Sequence, residues 1–183
     1  YSPVERQHVK VLNIMREILP DNAIMMGDIA QLVYTGTQAM PTNNPRTWFY
    51  PAGFGTLGCA LPDAIGAKIA FPDRDVIALA GDGGLMFTIQ ELATAVQEEL
   101  TIPIILWNND CLAMIRDGMR KRGYPEIGVD PLNPNFIKLA EAFHCPGVLP
   151  DSEEAFTSEL KIALKRNGPT IIMIMENDAW LQS

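Results

Sequence analysis

Two short, unbroken apolar runs dominate the hydropathy pattern: Val76-Ile77-Ala78-Leu79-Ala80 and Pro103-Ile104-Ile105-Leu106-Trp107. Runs this short, without polar alternation, predict strands buried on both faces, as in a parallel sheet. Thr88 to Leu100, between them, carries a helical pattern. Ala23 to Met26, Thr47 to Tyr50, Pro146 to Leu149 and Thr170 to Met175 predict four further strands. Helices are predicted from Ser2 to about Leu19, Gly27-Asp28 to about Met40, Gly58 to Phe71, Leu112 to Arg122, Asn135 to Phe143, and Asp151 or Ser152 to about Arg166. Ser2-Pro3-Val4-Glu5 has the form of a capping box with proline in the first turn, and Pro20 stops that helix. Glu153 and Glu154 favour the dipole of the last helix, and Asn167-Gly168-Pro169 ends it. Gly123 to Pro134 holds three prolines and two glycines and predicts a loop. Strands alternating with helices, without repeat or linker, predict an α/β fold: a doubly wound, mostly parallel sheet flanked by helices on both faces.

Composition narrows the function classes. A chain of 183 residues, 48% hydrophobic, fits one domain with a sizeable core. A net charge of −8 argues against a nucleic-acid partner. No apolar stretch reaches the roughly 18 residues of a membrane span. No signal-peptide pattern opens the chain, so a cytoplasmic protein is expected. Tyr1 in place of an initiating Met suggests an excised piece of a longer protein, and a processed chain or a trimmed tag would look the same. Cys59, Cys111 and Cys145 lack metal-type spacing and are expected as reduced thiols. His8 and His144, on separate predicted helices, argue against a histidine metal cluster.

The candidate chemistry lies where the two apolar runs end. The first runs into Gly81-Asp82-Gly83, the second into Asn108-Asn109. Asp82-Gly83 alone is a hairpin signal, but the helix pattern that follows leaves no place for a two-residue hairpin. In a strand–turn–helix–strand unit, Asp82 and Asn109 would lie side by side at the carboxyl edge of the sheet, where open α/β sheets bind ligands. One carboxylate and one amide oxygen suit Mg²⁺ or Ca²⁺, and Mg²⁺ is usually completed by the phosphates of a cofactor. Gly83 and Gly84 can offer backbone N–H groups to phosphate ahead of the following helix. A competing motif is Gly53-Phe54-Gly55-Thr56-Leu57-Gly58, which matches the dinucleotide fingerprint and would make Asp82 a ribose-binding acid of an NAD domain. Pro62 opposes it, and Asn108-Asn109 stays unexplained by it.

The Gly81-Asp82-Gly83 and Asn108-Asn109 pair resembles the thiamine diphosphate (ThDP) motif of the acetolactate synthase, pyruvate decarboxylase and benzoylformate decarboxylase superfamily. The segments Gly55 to Lys68 and Glu91 to Gln97 are similar to that family too, so the resemblance covers nearly the whole chain. It implies ThDP and Mg²⁺ as cofactors. The metal ligands implied are Asp82, Asn109 and the main-chain carbonyl of Cys111. The implied cofactor residues are Gly55, Leu57, Gly81, Asp82, Gly83, Gly84, Asn109, Ala113 and Met114. The Gly55 carbonyl and Leu57 N–H would meet the aminopyrimidine edge. The Leu57 side chain would bend the cofactor so that its amine meets the thiazolium C2; without the resemblance, Leu57 is a core leucine. The substrate class implied is a 2-oxo acid, decarboxylated or ligated.

The resemblance also implies what the chain lacks. It matches the last of three domains. The activating glutamate would come from the pyrimidine-binding domain of a partner subunit, in a homodimer or tetramer. The isolated chain would then hold half a site and turn over no substrate. An alternative is a non-catalytic interaction module that keeps the fold. Two departures separate the chain from acetolactate synthases: Gly27-Asp28-Ile29-Ala30 replaces a Gly-Gln-His-Gln segment, and Gly118 stands where those enzymes place a pocket Trp. Ile115 to Met119 and Gly27 to Tyr34 are similar to a branch that includes guanidino-oxopentanoate decarboxylase. A wider pocket is then expected, with Asp28 or Asp117 as partners for a cationic substrate tail; Asp117 reads equally as a solvated helix residue. Arg116, Lys121 and Arg122 form a solvated face or a lid. Glu91 is expected on an exposed helix face. Met25, Met26, Met173, Met175, Phe87, Trp107 and Phe136 are expected in the core.

Overall fold

The computed structural model describes residues 1–182. Its six strands are β1 (Ile24–Gly27), β2 (Trp48–Phe49), β3 (Val76–Gly81), β4 (Pro103–Asn108), β5 (Gly147–Val148) and β6 (Thr170–Met175). They form one all-parallel sheet in the order β2-β1-β3-β4-β6-β5. The helices are α1 (Pro3–Ile18), α2 (Gln31–Ala39), α3 (Ala60–Ala70), α4 (Asp82–Leu85), α5 (Leu92–Gln97), α6 (Ala113–Lys121), α7 (Phe136–Ala142) and α8 (Glu153–Ala163).

The apolar runs bury both sheet faces. Ile77, Leu79, Ile105, Trp107, Ile172 and Ile174 pack with α1, α2 and α8. Val76, Ala78, Ala80, Ile104, Leu106, Ile171 and Met173 pack with α3, α5 and α7. Each fully buried large aliphatic side chain contributes about 1.5–3 kcal/mol, so these two faces dominate the stability. His8 of α1 is buried within the first layer, 1% exposed. Its Nδ1 pairs with Thr35 Oγ1 of α2 at 2.8 Å, and its ring meets Trp107 edge-on at 4.5 Å. The capping box at Ser2 and Glu5 forms as expected.

Four local expectations change. The helix expected from Thr88 to Leu100 starts as a 3-10 turn at Ile89–Glu91 and becomes α-helical only in α5, while a separate single turn, α4, precedes it. The glycines after Asp82 let a helical turn start directly at the strand end, and Thr88, at φ −137°, interrupts it. Glu91 is accordingly half-buried in the 3-10 turn rather than on an exposed helix face. Phe87 is 65% exposed instead of buried. The backbone of Gly58, at φ +86°, passes so close that a Cβ there would lie 2.8 Å from Phe87 Cβ, and the ring is left outside. His144 lies beyond α7, with φ +59°, not within a helix.

Sheet order reverses between β1 and β3: from β1 the chain moves outward to β2, then returns to β3 on the other side. The carboxyl ends beside this reversal form the crevice where such sheets bind ligands. Among the described residues, no helix is long and apolar enough to cross a membrane.

Candidate cofactor and metal site

A cleft of about 200 Å³ opens at this reversal. The loop after β1 supplies Ile29 and Ala30, the turn after β3 supplies Gly81 to Gly84, and the segment after β4 supplies Asn109 and Cys111 to Ile115. Gly55 and Leu57 close it from the loop after β2. The structure thus gathers Gly55, Leu57, Gly81, Asp82, Gly83, Gly84, Asn109, Cys111, Ala113 and Met114 around one space. Asp82 is the one charged side chain lining it among the described residues. Volume alone would favour a more open hollow of about 620 Å³ beside Leu132, Phe136 and Met173. The smaller cleft is the one that gathers Asp82, Asn109 and the glycine turn.

Asp82 is 3% exposed. Burial pushes its carboxyl above the ordinary range, and the Asn133 amide and backbone N–H groups pull against that. Asn133 Nδ2 donates to Asp82 Oδ2 at 2.6 Å. The Asn109 amide is oriented from both ends. Its Nδ2 donates to Glu176 Oε2 at 3.3 Å, and its Oδ1 accepts the Cys111 backbone N–H at 3.3 Å. Cys111 is buried and lies within the turn that Asn109 caps.

Asp28, at the end of β1, is 1% exposed and faces inward. Both its oxygens accept the Gly58 N–H, at 2.8 and 3.0 Å, and Oδ1 also accepts the Ile29 N–H at 2.7 Å. A Cβ on Gly84 would lie 2.5 Å from its Oδ2. Asp28 therefore ties the loop carrying Leu57 to the sheet. Burial raises its pKa, and its backbone donors lower it in part.

Residues 28–174 match the model of the thiamine pyrophosphate enzyme, C-terminal TPP binding domain. The chain belongs to this family. It is 40% identical over 174 residues to the probable 2-ketoarginine decarboxylase AruI of Pseudomonas aeruginosa, covering 94% of this chain and 31% of that protein. It is 36% identical over 171 residues to the acetolactate synthase isozyme 1 large subunit of Escherichia coli, covering 91% of this chain and 30% of that protein. Its fold superposes on a Rhodococcus jostii thiamine diphosphate-dependent 4-hydroxybenzoylformate decarboxylase with TM-score 0.85 and 30% identity, covering 96% of this chain and 33% of that one. The chain spans about a third of the length of these relatives.

For a TPP-binding domain the donor set of the cleft is coherent. Among the described residues no three His, Cys, Asp or Glu side chains converge as a metal cage. A carboxylate, an amide oxygen and a main-chain carbonyl remain, a sparse set of hard oxygens that fits Mg²⁺ completed by phosphate. The first turn of α4 adds backbone N–H groups that lack intrahelical acceptors. The NAD reading falls with the family. It also fails on geometry: the Gly53 to Gly58 loop leaves β2 at the sheet edge, and α3 starts only at Ala60. Pro62 lies in its first turn, where proline is tolerated.

The cationic-tail candidates do not line the cleft. Asp28 is committed to Gly58. Asp117 is 59% exposed and pairs with Arg116 and Arg120 on α6. A Cβ on Gly118 would face Arg122, not the cleft. Arg116 pairs with Asp117 and Asp130, and Lys121 and Arg122 are exposed. Sequence reasoning missed Asn133 and Glu176. Asn133 falls in the proline-rich loop and Glu176 follows a strand, and nothing local marks either as a neighbour of the cleft.

Proposed function

We propose that this chain binds ThDP through Mg²⁺ and forms the diphosphate-binding half of the active site in a cytoplasmic 2-oxo acid decarboxylase or carboligase. The observation that carries this reading is the convergence of Asp82, Asn109 and the Cys111 turn with a glycine-rich helix start in one cleft at the reversal of sheet order. Bound ThDP would supply a carbon nucleophile and an electron sink for decarboxylation. The chain's residues would hold it. Asp82, Asn109 and the Cys111 carbonyl take the metal, the Gly83-Gly84 turn takes the diphosphate, and Leu57 supports the bend of the cofactor. Asp28 holds the Leu57 loop in place.

The second half of the site would come from the pyrimidine-binding domain of a partner subunit, in a homodimer or tetramer. Phe54, fully exposed, and Met114, 56% exposed, flank the cleft and offer apolar surface for that contact. On this reading the chain alone turns over no 2-oxo acid. The 40% identity to the probable 2-ketoarginine decarboxylase supports a large, cationic 2-oxo acid as substrate. Since Asp82 is committed to the metal, the guanidinium partner would lie outside this cleft. A kcat/KM for 2-ketoarginine no better than for pyruvate would count against that substrate.

The deciding experiment is Asp82→Ala in the intact protein, titrated calorimetrically with ThDP in the presence and absence of Mg²⁺. Mg²⁺-dependent binding should disappear while the circular dichroism spectrum is kept. Undiminished affinity in a folded variant would place the site elsewhere.

A further inference from the structure

Glu176 is not part of the donor set, yet it sits against it. β4 and β6 run parallel with Asn108 opposite Met175, so the next matched pair is Asn109 and Glu176. The Glu176 N–H donates to the Asn108 carbonyl at 2.9 Å and extends the ladder one step past both strands. Along β4, side chains alternate, so Trp107 and Asn109 project to the same face. Glu176 Oε2 stands between them: Trp107 Nε1 donates to it at 3.0 Å and Asn109 Nδ2 at 3.3 Å. Trp107 is itself 1% exposed and held edge-on by His8, so this acceptor is fixed to the core.

An ionised carboxylate only accepts hydrogen bonds, whereas an amide presents a donor end and an acceptor end. With Glu176 on one side, the amide of Asn109 must turn Nδ2 toward it and Oδ1 away. The Cys111 N–H, donating to Oδ1, requires the same orientation from the other end. A flipped amide would aim N–H groups at the cation and set two acceptors against each other at Glu176. Partners of this kind set the orientation of metal ligands generally.

From this we infer that Glu176 is a positioning residue: it selects the orientation of the Asn109 amide that offers oxygen to Mg²⁺ at the ThDP site. The inference rests on the metal–diphosphate reading above and adds to it a residue on β6 that does not itself touch metal or cofactor.

The test uses ThDP titration with Mg²⁺ on the intact protein, alongside thermal unfolding of each variant without cofactor. Glu176→Leu should weaken Mg²⁺-dependent ThDP binding by about 10–100-fold. Glu176→Gln keeps an acceptor for both donors and should hold most of the affinity. The discriminating measurement is a double-variant cycle. Asn109→Asp sets a new carboxylate against Glu176 and should weaken binding. Adding Glu176→Gln to it lets the new amide donate to the new carboxylate while still accepting from Trp107. The double variant should therefore bind more tightly than Asn109→Asp alone, although Glu176→Gln brings no gain in the parent protein. A purely structural role for Glu176 would not reverse sign with the residue at 109.

Equal effects of Glu176→Gln in both backgrounds, or a folded Glu176→Leu variant with parental affinity, would overturn the inference. If Glu176→Leu does not fold, the cycle alone decides. Parent protein that shows no Mg²⁺-dependent ThDP binding would instead overturn the underlying site reading.

Discussion

Asn133 Nδ2 stands 2.6 Å from Asp82 Oδ2, the shortest polar link between the proline-rich loop and the glycine turn after β3. The same nitrogen lies 3.2 Å from Asn108 Oδ1 and 3.0 Å from Asp110 Oδ1. Three acceptors surround one amide nitrogen that carries two hydrogens. Asn133 fastens the end of this loop over the carboxyl ends of β3 and β4.

Asn133→Ala should leave the buried Asp82 carboxylate without this donor. The expected loss is about 1–3 kcal/mol of stability. Urea unfolding at pH 7 reads it. A midpoint unchanged from the parent would show that the Asp82–Asn133 contact contributes nothing.

Gly84 has no space for a side chain. A Cβ would fall 2.5 Å from Asp28 Oδ2, itself locked by the Gly58 N–H. Gly84→Ala should cost about 1–3 kcal/mol through this overpacking. The displaced carboxylate should also loosen the loop bearing Leu57, seen as faster amide exchange at Gly58. Parental exchange at Gly58 would contradict the proposed tie.

His8 makes stability depend on pH. Burial lowers its pKa from 6.5 to about 4, against an opposing pull from Glu5. The folded pKa lies below the unfolded one, so the unfolded state takes up the proton first. His8 burial is therefore harmless above about pH 6.5 and costs increasing stability as pH falls toward 4, reaching about 3 kcal/mol there. His8→Phe, combined with Thr35→Val to avoid an orphaned hydroxyl, should flatten this part of the stability–pH curve. A curve of parental slope between pH 6.5 and 4 would refute the assignment.

The thiols should be inert in the folded protein. Burial, with Asp28 and Asp63 adding to it, pushes Cys59 up to about 12, and burial pushes Cys145 up to about 11. At pH 8 both are almost wholly protonated, and the thiolate is the reactive form. Iodoacetamide at pH 8 should label neither residue in the native protein and both in urea, as read by peptide mass spectrometry. Rapid native labelling of Cys145 would contradict its burial.

Much of the fold was legible in the residues alone. Unbroken apolar runs at 76–80, 103–107 and 170–175 are strands because residues alternate faces and both faces are covered here. The break within 88–100 was not legible. Helical periodicity survives a 3-10 turn, and the break depends on how residues 86–88 pass Gly58.

The sequence by itself determined the parallel α/β class and the family motif, since both are written in short local patterns: apolar period, glycine turns, and polar residues at strand ends. Tertiary structure alone decided which distant residues serve those strand ends. Asn133 reaches Asp82 across 51 positions, and Glu176 reaches Asn109 across 67. Asp28 turns to Gly58 rather than to the cleft. Periodicity reports which face of an element is buried. Register between strands, and the path of a loop over their ends, follow from the packing of both sheet faces at once, and no single segment encodes that.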